Sequence, residues 1–295
     1  MDITAAVATP ARLGECPLWD PGDEVLYWTD IEGRVLHRFD PVTGLDSARG
    51  MPGRVGSFVR GAGPGELVLA MEHELVRYRW ADPGSFEPLM ELGEFAPGNR
   101  LNDGRTDPVG RFVVGTMHDD PTAGRSSGTL QRVGPEGVAI LRRDVGIPNA
   151  LAFDADRGRV YWADTPTQRV VTADYDPATG EWHDERLFLD YAELPGLPDG
   201  ACIDAEGGFW SASVMGWAVI RVSPDGVVDE RIELPLEKPS MPAFGGRDLR
   251  TLYVTTIGEE GGRACSAGRD GFTPGSLLAI EGLGVTGRVD PMFAG

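Results

Sequence analysis

Four side chains in this sequence share one chemistry and one position in a repeat. Glu15, Asn102 and Asn149 each stand 13 positions before Trp28, Gly115 and Trp162, and Asp199 stands 11 before Trp210. All four carry oxygen donors. Two carboxylates and two amide carbonyls, with no His or Cys among them, form a hard-oxygen set that suits Ca²⁺, Mg²⁺ or Mn²⁺, while carboxylate oxygens also serve Zn²⁺ and Fe²⁺. The ligand set does not choose among these metals. A cation would offset the repulsion between Glu15 and Asp199 at close range, polarise a carbonyl and acidify a bound water. An isolated Asn or Asp after proline, as in Pro148-Asn149 and Pro198-Asp199, is ordinarily a turn residue. Recurrence in phase is what favours a site.

The elements that must position these residues are short β runs. In residues 197–210 a Pro-Asp-Gly turn leads into an apolar run, then a Gly-rich turn, then an aromatic run ending near Trp210; residues 147–162 and 14–28 repeat this cadence. The second runs end at Trp28, Leu69, Gly115, Trp162, Trp210 and Val254, about 41 to 48 residues apart, the period of a four-stranded propeller blade. Third runs rhyme as well. Residues 34–44 and 169–180 both close in Asp-Pro-x-Thr-Gly, a hairpin turn. No window carries an amphipathic helical stripe between caps, and Gly or Pro interrupts most candidates. The reading is an all-β protein, a single six-bladed β-propeller over residues 1–295 with a metal site in its central channel. The last blade is expected to combine Leu277–Ile280 with a strand donated by residues 3–8, removing exposed sheet edges. Gly56 and Met241 occupy the site phase in the two remaining blades. Two β-sandwich domains would require a linker and a composition shift, and neither is present.

Composition narrows the function. Gly 41 and Pro 23 are too many for a helical protein, whereas 41% hydrophobic residues exclude a disordered one. A net charge of −19 argues against nucleic-acid and anionic-membrane partners. Cys16, Cys202 and Cys265 show no CxxC spacing, and the chain has no secretory leader pattern or long apolar run, so free thiols and a cytoplasmic location are expected. Gly124-Arg-Ser-Ser-Gly128 satisfies Gly-x-Ser-x-Gly but sits between β runs, whereas a nucleophile elbow joins a strand to a helix. The four histidines show no ligand spacing. Residues 154–158 lack the frame and closing Glu of a calcium loop, and 61–65 is followed by a β run rather than the helix of a dinucleotide loop.

As a set, Leu13-Gly-Glu-Cys-Pro-Leu-Trp19, Asn99-Arg-Leu-Asn-Asp-Gly104 with Gly115-Thr-Met117, Pro148-Asn149, Leu197-Pro-Asp-Gly200 and Phe244-Gly-Gly246 with Leu252-Tyr-Val-Thr255 resemble the family of gluconolactonases, regucalcin (senescence marker protein) and luciferin-regenerating enzyme. The resemblance spans essentially the whole chain. It implies a six-bladed propeller with one divalent cation and hydrolysis of sugar lactones. It makes Glu15, Asn149 and Asp199 metal ligands, Asp199 also the general base, and Arg100, Asn102 and Asp120 substrate contacts, so that Asn102 passes from the ligand set to the substrate side. Asp120 stands where relatives carry a longer Glu, which bears on sugar identity. Ala150 replaces the Gly that commonly follows the ligand Asn and is expected in a β conformation. Beside a metal-dependent lactonase acting as a monomer or weak homo-oligomer, the resemblance leaves a regucalcin-like calcium-binding regulatory protein and an ester or organophosphate hydrolase as alternatives.

Overall fold

The computed structural model describes residues 1–295 apart from Gly93, Glu94 and Gly261 and the side chain of Glu260. Six four-stranded antiparallel sheets form the blades of a β-propeller, as the repeat predicts. The only helical elements among the described residues are three single 3-10 turns at Pro121–Ala123, Thr165–Thr167 and Tyr191–Glu193. None is long or apolar enough to cross a membrane.

The first strands of blades one to six are Gly14–Asp20, Val55–Arg60, Asn99–Thr106, Pro148–Asp154, Leu197–Ile203 and Pro239–Gly245. In the first five blades four consecutive strands pair as successive hairpins. The sixth departs from that order: Pro239–Gly245 pairs with Thr251–Thr256, then Leu277–Glu281, then the N-terminal strand Asp2–Val7. The donated strand thus lies one residue earlier than the sequence reading placed it.

The fold divides into two compact units. One comprises Met1–Arg54 with Leu189–Val289 and holds blades one, five and six; the other comprises Val55–Phe188 with Asp290–Gly295 and holds blades two, three and four. In the first unit, Trp210, Val219, Phe244, Val254 and Leu278 make one core cluster and Trp19, Leu26, Trp28, Tyr253 and Leu277 another. In the second, Val59, Leu101, Phe112, Val114 and Phe293 make one, and Val113, Leu130, Leu151, Trp162 and Trp182 the other. Each cluster joins residues from neighbouring blades, so apolar area is buried face to face between sheets. This is why both faces of the inner strands read as apolar, with side chains such as Trp28 and Trp210 almost wholly removed from water.

The Asp-Pro-x-Thr-Gly closures work as turns for a local reason. Asp40 Oδ1 accepts from the Val42 amide at 2.8 Å and Asp176 Oδ1 from the Ala178 amide at 2.8 Å. Each turn ends on a glycine in the left-handed region, Gly44 at φ 70° and Gly180 at φ 71°. The C-terminal segment is bound into the second unit: Phe293 and Ala294 donate their amides to the carbonyls of Arg60 and Gly110 at 2.7 and 2.9 Å, and Asp290 pairs with Arg105 at 2.7 Å.

Candidate active site

Every first strand carries a β-bulge near its start, where one extra residue is accommodated against the second strand. The register shifts between Glu15 and Leu18, Val55 and Ser57, Leu101 and Gly104, Asn149 and Ala152, Pro198 and Ala201, and Pro239 and Met241. A bulge breaks the alternation of side chains and re-aims the residues on it. Glu15 and Asn149 stand immediately before their bulges, and Asn102 and Asp199 stand within theirs. The ladder also corrects the spacing in blade five. Trp210 pairs with Cys202, and the residue facing the Asp199 bulge is Ala212, between Ser211 and Ser213. Against that residue Asp199 stands 13 positions back, as the other three do.

In the first unit, Glu15 faces Thr29 across the hairpin, and its Oε2 accepts from the Cys16 amide at 3.2 Å. The backbone leading to it is tied down by Asp30, whose carboxylate accepts from the amides of Arg12 and Leu13 at 2.9 and 3.0 Å. Cys16 has φ 49°, so the bulge forces a non-glycine residue into the left-handed region. Asp199 is buried. Behind it lies Tyr191, whose hydroxyl bonds Ser211 Oγ at 2.9 Å. Burial first, and then the neighbouring Asp199 charge, push the Tyr191 phenol above its ordinary range, against the Ser211 hydrogen bond, which acts the other way. That phenol therefore stays neutral beside the carboxylate. Gly200 is required by close approach: a Cβ there would fall 2.4 Å from Met241 Cγ and 2.9 Å from its Cα.

In the second unit, the predicted residues Arg100, Asn102 and Asn149 come together in one hydrogen-bonded chain. Arg100 Nη1 donates to the Leu101 carbonyl at 2.9 Å and to Asn102 Oδ1 at 3.0 Å. Asn102 Nδ2 donates to the Pro148 carbonyl at 3.1 Å and to Asn149 Oδ1 at 3.0 Å. Asn149 Nδ2 donates to Thr165 Oγ1 at 3.0 Å. Arg100, Asn102, Asn149 and Thr165 are all buried. Next to Asn102, the carboxyl of Asp103 is pushed above the usual carboxylate range by burial, opposed by the Arg105 charge and by the Leu151 amide at 3.3 Å.

One sequence expectation needs correction here, and one predicted substrate contact stands apart from the chain. Ala150 is not in a β conformation: its φ is 56°, because it is the bulge residue after Asn149, and it holds a left-handed backbone where glycine would be unstrained. Asp120 is not brought to the chain. It is exposed and caps the short turn at Pro121–Ala123, accepting from the Thr122 amide at 2.9 Å and its hydroxyl at 2.6 Å. Those Thr122 bonds, the hydroxyl's foremost, hold its carboxyl below the usual range. The acid beside Arg100 is instead Asp119, 3.4 Å from Nε. Sequence reasoning missed Asp119 and Thr165. Thr165 could have been found by laying out the hairpin, since Asn149 pairs with Ala163 and Thr165 follows two residues later.

Serine 126 of the Gly-x-Ser-x-Gly pattern lies in an exposed loop, without a strand before it or a helix after it. Among the described residues no three His, Cys, Asp or Glu side chains form a group that could hold a metal ion. The set expected from the sequence, Glu15, Asn149 and Asp199, is two acids and one amide, a donor chemistry of the kind that hard divalent cations take. The amide fits: Asn149 Oδ1 receives one hydrogen bond, and a carbonyl oxygen has two lone pairs.

Known proteins of similar length and sequence identify the family. The chain is 38% identical over 295 residues to a 6-deoxy-6-sulfogluconolactonase of Pseudomonas putida, covering 99% of each, and 37% identical to a pentonolactonase of Haloferax volcanii, covering 98% of this chain and 97% of that one. It superposes on the crystal structure of regucalcin, a calcium-binding protein, from Agrobacterium tumefaciens with a TM-score of 0.88 at 29% identity, over 98% of this chain and 96% of that one. Residues 13–258 match the family model described as SMP-30/Gluconolactonase/LRE-like region, and the chain belongs to that family.

Proposed function

We propose that this protein hydrolyses sugar lactones to aldonic acids, with Glu15, Asn149 and Asp199 holding one divalent cation, Asp199 serving as general base, and Arg100 and Asn102 facing the substrate. The observation that carries the reading is the buried chain from Arg100 through Asn102 to Asn149, which joins residues assigned to substrate and to metal in one hydrogen-bonded unit. Relatives of nearly full length that bear the names sulfogluconolactonase and pentonolactonase support the substrate class.

When bound, the cation supplies Lewis acidity, drawing electrons from a carbonyl and lowering the pKa of water. The protein's own residues do the rest. Asp199 takes a proton from the attacking water as the water oxygen bonds to the lactone carbonyl carbon. The bond between that carbon and the ring oxygen then breaks. The ring oxygen takes up the proton that Asp199 had accepted, which regenerates the base and gives the open hydroxy acid. Arg100 and Asn102 orient the ring by hydrogen bonds, which matters because a misplaced carbonyl loses the benefit of the base.

Acid release from a panel of gluconolactones and pentonolactones, measured with single divalent metals and with a chelator, tests the reading. Metal-restored turnover that is lost in Asp199→Ala is expected. Tight calcium binding without turnover on any lactone would refute it in favour of a binding protein.

A further inference from the structure

Each amide along the buried chain has a partner that limits which way it can point. A guanidinium can only donate, so the atom of Asn102 that meets Arg100 Nη1 at 3.0 Å must be its oxygen. A backbone carbonyl can only accept, so the atom that meets Pro148 O at 3.1 Å must be the amide nitrogen. The two constraints agree. With that nitrogen also 3.0 Å from Asn149, the atom of Asn149 facing it must be Oδ1, and its nitrogen is left to Thr165 Oγ1. A hydroxyl accepts or donates with equal ease, so Thr165 closes the chain but does not decide its direction. The decision is made at Asn102, by the Arg100 guanidinium on its oxygen and the Pro148 carbonyl on its nitrogen, and Asp119 stands 3.4 Å from that guanidinium.

We infer that Arg100 is a positioning residue that sets the polarity of the Asn102 and Asn149 amides, and that Thr165 is the acceptor completing this lock. The inference rests on the proposed metal-dependent lactonase and deepens it. The Asn149 carbonyl is presented as a donor oxygen before any substrate arrives, because reversing it would set two amide NH₂ groups against each other inside a buried site. A guanidinium matters here for its shape. Nη1 spans the Leu101 carbonyl and Asn102 Oδ1 together, and a lysine ammonium keeps the charge without that fixed fork.

The test uses substrate-free protein and two readouts. The first is the dissociation constant for Mn²⁺ or Ca²⁺ by calorimetry in Arg100→Lys, Thr165→Val and Thr165→Ser. Groups that orient a metal ligand typically change metal affinity by about 10- to 100-fold. A weakening of that order is expected for Arg100→Lys and Thr165→Val, with near-wild-type affinity in Thr165→Ser. Arg100→Lys conserves charge, so the change cannot come from lost repulsion of the cation. Unchanged affinity with only KM raised would leave Arg100 a substrate contact without a positioning role and overturn the inference. The second readout needs no metal: hydrogen exchange of the Asn149 side-chain NH₂ by NMR. It is expected to be slow in wild type and in Thr165→Ser and fast in Thr165→Val and Arg100→Lys. Equal protection in all four would sink the inference even if the protein bound no cation, whereas absence of cation binding with the exchange pattern intact would count only against the lactonase reading.

Discussion

Gly115→Ala probes how the packing of one blade holds the catalytic geometry of the next. Gly115 faces the bulge that carries Asn102, and a Cβ built there would lie 2.3 Å from Pro148 Cγ and 2.7 Å from Pro148 Cβ. Ordinary contact begins at 3.4 Å, so Pro148 would have to retreat by about 1 Å, and its ring cannot rotate away as a flexible side chain could. Overpacking of this kind costs about 1–3 kcal/mol. The larger effect should be functional. Pro148 accepts from Asn102 Nδ2 at 3.1 Å and directly precedes Asn149, so its shift stretches one link of the chain and moves another. A displacement of that size at a catalytic constellation is worth roughly 10²-fold in rate. The assay is kcat/KM for gluconolactone hydrolysis together with thermal melting. Gly50→Ala is the control, since its Cβ would meet nothing within 4 Å. The expected result is a Tm lowered by a few degrees, kcat/KM reduced by about two orders of magnitude, and a control like wild type in both. Activity of Gly115→Ala within a factor of two of wild type would refute the claim that Pro148 transmits position to the site.

Other outcomes follow from single contacts. Asp199→Asn should lower kcat by about 10²- to 10⁴-fold, the usual worth of a general base, while binding of an unreactive aldonic acid changes little; a loss seen only in KM would assign Asp199 to substrate binding. Phe293→Ala should destabilise the protein by about 3–5 kcal/mol, because the ring fills a core cluster with Val59, Leu101, Phe112 and Val114; an unchanged urea midpoint would show the tail to be dispensable. Asp103 holds its proton more tightly folded than unfolded, its carboxyl being raised from 3.8 chiefly by burial. Its contribution to stability is therefore full below pH 3.8 and is lost as pH rises through the higher folded value. Asp103→Asn should flatten the stability profile on that acidic side, and identical pH–Tm curves for the two proteins would contradict this.

Much of the fold was legible because it repeats. Trp28 and Trp162, the Asp-Pro-x-Thr-Gly turns and the strand at Leu277 could be read from alternation and turn chemistry, which are local properties. The bulges could not. A bulge is a relation between two strands, and one extra residue leaves the apolar pattern of either strand looking ordinary, so the blade-five alignment settled on the conspicuous Trp210 instead of Ala212. The same blind spot hid the left-handed backbone of Ala150. Arg100, Asn102 and Asn149 were visible from phase and family motif, but the direction of hydrogen bonding among them is set by the Arg100 guanidinium and the Pro148 carbonyl and completed by the Thr165 hydroxyl, and a motif records neither that carbonyl nor that hydroxyl. Asp119 and Asp120 are adjacent acids, and only the need of the turn at Pro121 for an N-cap divides their labour.

The pairing of Asp2–Val7 with Leu277–Glu281 also sets a timetable. At roughly 5–20 residues per second of synthesis, Asp2–Val7 waits on the order of 15 to 55 s for Leu277–Glu281 to be made. Throughout that interval the N-terminal strand is a free edge able to recruit a stranger, and late in it the sixth sheet has only its two strands Pro239–Gly245 and Thr251–Thr256, with the outer edge of the second unpaired. A nascent chain halted before Leu277 keeps both edges open and should be conspicuous to chaperones and proteases.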